Sequence, residues 1–162
     1  MSLINHRRRS AKWHGASQKV RQSAAPLFLD RIDIQCEISP VPFQDISKAA
    51  PGEPSAKIRE RVIKAREVQA ERFNDYKGIH CNAQMTERMI HQFAEPDEQG
   101  IKLLRMAMEK LSLSARAYNR ILKVARTIAD LAGSEQIKPD HIAEAVGYGT
   151  LDRGDWAERG HL

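Results

Sequence analysis

One run of the chain, Leu113 through Gly133, limits most sharply what it can build. Ala115, Tyr118, Leu122, Ala125, Ile128 or Ala129, and Ala132 recur at helical spacing and should face a core. On the other side Arg116, Arg120, Lys123 and Thr127 follow one another at intervals of 4, 3 and 4. Ser112 or Ser114 stands where an N-cap is needed, and Gly133 where the helix must stop. The run therefore predicts a capped amphipathic helix with a cationic row that starts in its first turn. Unpaired backbone donors and the positive end of the helix dipole favour an anion at that same turn. Arg116 and Arg120 could grip a phosphate there. The same pattern also describes an ordinary charged face, neutralised by Glu or Asp from neighbouring helices.

Four further helical segments surround this one. Pro51-Gly52-Glu53-Pro54 closes a polar linker, and Pro54 suits a first turn, so a helix is expected over about 54–75. Ile58, Val62, Ala65 and Val68, continued by Phe73 or Tyr76, are its expected buried side, and Lys77-Gly78 ends it. A short helix should start near Thr86 with Met89, Ile90 and Phe93 as anchors. Glu95-Pro96-Asp97 opens the next, with Ile101, Leu104, Met108 and Leu111 on one stripe. Lys138-Pro139-Asp140 opens the last, with Ile142, Ala143 and Val146 inward and an end near Gly147. These stripes need one another, which predicts an all-α domain, a small helical bundle over residues 54–148.

Upstream, polar and apolar residues alternate from Arg31 to Ile38, the period of a strand. No second strand is evident, so its neighbours would have to lie outside this sequence. Residues 1–25 lack periodicity and are expected to be loose, 26–53 to hold the orphan strand and linker, and 149–162 to form a flexible tail.

Composition narrows the function. Apolar residues are 41% and aromatics 6% of the 162 residues, an aliphatic mix that suits packed helices. No apolar run approaches the length of a membrane span, and no apolar stretch follows Arg7-Arg8-Arg9 as a secretory signal requires. The cytoplasm is the expected compartment. Six of the 26 basic side chains, Arg7, Arg8, Arg9, Lys12, Lys19 and Arg21, lie in residues 1–29, which hold none of the 21 acids. Such an arm can neutralise nucleic-acid phosphates, or simply remain a soluble terminus.

Few other residues invite chemistry. Arg31, flanked by Asp30 and Asp33, could reach a neighbouring subunit's phosphates from the mouth of the strand, or be held in a local salt bridge. The histidines at 6, 14, 80, 91, 141 and 161 lack ligand-spaced partners, and Cys36 and Cys81 read as buried thiols. No metal site is expected. No Gly-x-x-x-x-Gly-Lys-Ser/Thr loop is present, so unaided ATP hydrolysis is not expected.

Four blocks carry a resemblance: Pro26 through Ile34 (Pro-Leu-Phe-Leu-Asp-Arg-Ile-Asp-Ile), Gly52 through Val62, Asn82-Ala83-Gln84-Met85, and Leu113 through Pro139. In this order they closely resemble the C-terminal portion of the magnesium-chelatase-like AAA+ proteins, the ComM family, over residues 23–153. The resemblance implies a Lon-protease-like domain and an ATPase core upstream, a helical lid, assembly into homo-hexamers, ATP with Mg2+ as cofactor, and DNA branch migration rather than metal insertion. It implies that Arg31 is the arginine finger acting across the subunit boundary. It also implies that Arg116, in Leu-Ser-Ala-Arg, is the sensor arginine of the lid near the γ-phosphate. Walker A, Walker B and sensor-1 elements lie upstream in the family and are not in this sequence. The usual Ser-Gly-Pro is Ala24-Ala25-Pro26 here, and Phe28 replaces a leucine.

Two functions follow as expectations. The first is a lid region of a hexameric, ATP-driven DNA-remodelling protein, inactive alone, whose partners are the ATPase core, neighbouring subunits and DNA. The alternative is a free-standing helical module that binds nucleic acid or protein through its basic arm.

Overall fold

The computed structural model describes residues 32–36, 41 and 52–149. Arg31, the segment 1–25, most of 26–53 and the tail beyond 149 lie outside the described residues. Among the described residues there are five α-helices: α1 Ser55–Arg72, α2 Glu87–Phe93, α3 Glu98–Lys110, α4 Ala115–Leu131 and α5 Pro139–Gly149. A single 3₁₀ turn, Asn82–Gln84, lies between α1 and α2.

Helix α4 is the hub, touching α1, α2, α5 and the 3₁₀ turn, while α3 packs on α5. Small residues let these helices approach closely: Ala117, Ala125 and Ala129 of α4, Ala107 of α3 and Ala145 of α5 are buried. Ile90, Leu104, Ile121, Leu122, Ile142 and Val146 fill the space around them. Phe73, Tyr76 and Phe93 close one end of the core as a set of edge-to-face rings with centroids 5.7–6.5 Å apart.

The helix ends follow local chemistry. Asp97 caps α3 by accepting from the Gly100 N–H at 2.6 Å. Gly100 is required at that position, since a Cβ would lie 2.9 Å from the Pro96 Cβ. An isolated parallel bridge, Pro96 to Ile137, ties this cap to the loop before α5. Helix α4 ends in a Schellman motif with Gly133 at φ 65 and the Ser134 N–H donating to the Ala129 carbonyl at 2.8 Å.

No strand is seen at 32–36, the described part of the segment expected to form one over 31–38. A lone strand has no ladder to satisfy its backbone, and here the Gln35 N–H donates to the Tyr148 carbonyl at the end of α5. One expectation, the buried side of α1, is corrected. Ile58, Val62 and Val68 are exposed, and the residues it buries are Ala65 and Gln69. The side of α1 that faces the bundle is the side that can reach polar partners on α4 and the 3₁₀ turn.

Candidate functional site

Arg116 owes its position to the turn that precedes it. Helix α3 ends in a Schellman motif with Ser112 at φ 48, and the Leu113 N–H donates to the Met108 carbonyl at 3.1 Å. Ser114 then caps α4, its Oγ accepting from the Ala117 N–H at 3.2 Å. Arg116 leaves the first turn of α4 as an exposed side chain, and among the described residues no acid pairs with it. A guanidinium beside the orphan donors of a helix start is able to receive an anion.

The rest of the predicted row is not equally open. Arg120 is buried, 9% exposed, with its guanidinium under the end of α5: a Cβ built at Gly149 would lie 3.5 Å from its Nη2. Lys123 donates from Nζ to the Ala83 carbonyl at 2.9 Å. The Thr127 hydroxyl donates to the Lys123 carbonyl and accepts from Asn82 Nδ2. Arg116 is therefore the open end of a row whose other members are engaged inside the bundle. Arg31, the second predicted site arginine, lies outside the described residues.

The sequence reading missed the most highly connected group, Asp130. Its side chain is fully buried and accepts from Arg72 Nη2 at 2.6 Å and Nη1 at 2.8 Å, from Arg126 Nε at 3.0 Å and from Asn82 Nδ2 at 2.7 Å. Arg126 spends its remaining donors on the Ser134 and Glu135 carbonyls just past the end of α4. Burial alone would raise the carboxyl pKa. Hydrogen bonds from Arg72 and Asn82, with the charges of Arg126 and Arg72, overcome it and hold Asp130 below its ordinary value. Burial pulls the Arg126 pKa down, against the opposing charge of Asp130. The available signal was an Arg and an Asp four residues apart on an otherwise apolar stretch of α4, with Arg72 late on α1.

Other candidates are accounted for locally. His141 is buried and its Nδ1 accepts from the Lys138 N–H at 3.1 Å. Cys36 is exposed and Cys81 half-buried, not the buried thiols expected, and neither is in a disulfide. Among the described residues no three His, Cys, Asp or Glu side chains are grouped to hold a metal, and no helix is long and apolar enough to cross a membrane. A surface groove of about 760 Å³ runs along α1 past Val62, Ile63, Arg66, Tyr76 and Ile79, and neither Arg116 nor Arg120 lines it.

Residues 52–149 match the family model described as the magnesium chelatase subunit ChlI C-terminal domain. The chain is 42% identical over 127 residues to the competence protein ComM of Haemophilus influenzae, covering 78% of this chain and 24% of that protein. It shows the same identity and coverage with YifB of Escherichia coli, and 39% identity over 127 residues with YifB of Salmonella typhimurium. It spans about a quarter of the length of these relatives. The chain belongs to the magnesium-chelatase-like AAA+ family that includes ComM and YifB, and residues 52–149 are its helical C-terminal module.

Proposed function

We propose that the helical region 54–148 is the lid of a hexameric AAA+ ATPase that uses ATP and Mg2+ to remodel DNA, including branch migration, and that it is inactive without its core. Arg116 would approach the γ-phosphate from the lid, while Arg120 would add positive charge from its buried position one turn on. Arg31 would reach the nucleotide of the neighbouring subunit and stabilise the charge that develops during transfer. The observation that carries this reading is the exposed Arg116 on the capped first turn of α4, which pairs with no acid among the described residues. Arg120 is buried and Lys123 is bonded to the Ala83 carbonyl, so Arg116 is the exposed cation of the row.

The reading is tested in the assembled protein. Replacing Arg116 with alanine should lower ATP hydrolysis by about 100-fold, the usual cost of removing one group that stabilises developing charge. The melting temperature of the lid should not change, because an exposed side chain is removed. Undiminished turnover by this variant would contradict the assignment.

A further inference from the structure

We propose that α1 is a detachable arm, fastened to the bundle by a charge latch centred on Asp130 and able to swing about Phe73 while α2 through α5 stay folded.

Little apolar surface holds α1. Residues 55–64 are all exposed, and Ile63 and Val68 remain 47% and 44% exposed farther along. The buried members of the helix are Ala65, which hides a single methyl group, and Gln69. Gln69 is itself a polar fastener, its Oε1 accepting from the Asn82 N–H at 3.1 Å. At the last position Arg72 makes a two-pronged contact with Asp130 and also donates from Nη1 to Asn82 Oδ1 at 2.8 Å. Beyond it, Phe73 is buried and packs edge-to-face on Tyr76 and Phe93, neither of which belongs to α1. The attachment of α1 is therefore mostly polar and confined to its last two turns, with an aromatic pivot just past its end.

The remainder of the bundle has the opposite character. Helices α2 to α5 share a continuous apolar core, and Asp130 keeps Arg126 and Asn82 as partners when Arg72 leaves. Release of α1 thus strands no buried charge. The freed arm also has little to hold its own shape. At 18 residues it is marginal as an isolated helix, and its Glu60–Lys64 and Glu53–Arg61 pairs are exposed to solvent.

Backbone hydrogen exchange on the whole chain reads this directly, comparing the wild type with Arg72→Met. The variant should speed exchange of the α1 amides by about 10- to 100-fold, the loss expected for hydrogen bonds to a charged group. The central amides of α4, residues 121–129, should keep their wild-type rates. Unchanged α1 rates, or equal acceleration in α1 and α4, would overturn the proposal. A second measurement covers a variant that fails to fold. In the wild type under increasing denaturant, α1 should open in a separate step that exposes less surface than the opening of α4. Coincident opening of the two helices at all denaturant concentrations would overturn it as well.

Discussion

At the scale of single residues, the molecule places its polar groups where their cost is met. Asp130 is buried without water access, yet it is ionised and fully partnered by Arg72, Arg126 and Asn82. Changing Asp130 to asparagine leaves both guanidinium groups without their counter-charge, and should cost about 3–5 kcal/mol in chemical denaturation. The pH dependence has a definite sign. A carboxyl whose folded pKa is depressed contributes stability that is complete above its ordinary value of 3.8 and is lost as pH falls below it toward the folded value. The wild type should therefore lose stability below about pH 4 more steeply than Asp130→Asn, as read from denaturation midpoints across that range. Ser112 supplies the opposite case. It holds φ 48, a left-handed conformation that glycine adopts freely, at the turn that aims Arg116. Ser112→Gly should raise stability by about 1 kcal/mol, because glycine adopts this backbone without the steric cost a Cβ carries there. A fall in the denaturation midpoint would mean that the serine side chain holds the turn.

At the scale of elements, periodicity and caps carry far, and the limits are physical. Helices α3, α4 and α5 were legible because each combines a stripe with a start signal: Asp97 and Ser114 both cap through their side chains, and Leu104, Leu122, Ile142 and Val146 are buried as their spacing implies. Helix α1 misled for the same reason, since Ile58, Val62 and Val68 have helical spacing but no bundle surface to meet. Its inward side is chosen by Gln69 and Arg72, whose partners Asn82 and Asp130 are distant in sequence and invisible to a local pattern. The alternating segment after Arg31 shows the converse limit, because a strand needs a neighbour and no local pattern supplies one. Two substitutions separate the apparent core from the real one. Val62→Lys should change stability by less than about 0.5 kcal/mol, as at an ordinary surface position. Gly100→Ala should cost about 1–3 kcal/mol, since its Cβ would meet Pro96 and the cap of α3. Equal effects of the two in a denaturant titration would contradict this division.

At the scale of the whole molecule, the bundle holds Arg116 open at one helix start and keeps the other members of its row engaged. The chain belongs to the magnesium-chelatase-like family, no phosphate-binding loop occurs in its sequence, and the proposed function gives it a place in a larger ATPase. On this account a guanidinium is presented to a nucleotide whose pocket is built by other parts of the assembly, so the bundle has no catalytic capacity of its own. The most direct measurement is ATP turnover by the purified 162-residue chain in the presence of Mg2+. The account predicts no phosphate release above the uncatalysed rate at any protein concentration. Steady turnover proportional to the amount of chain, and abolished by Arg116→Ala, would contradict it.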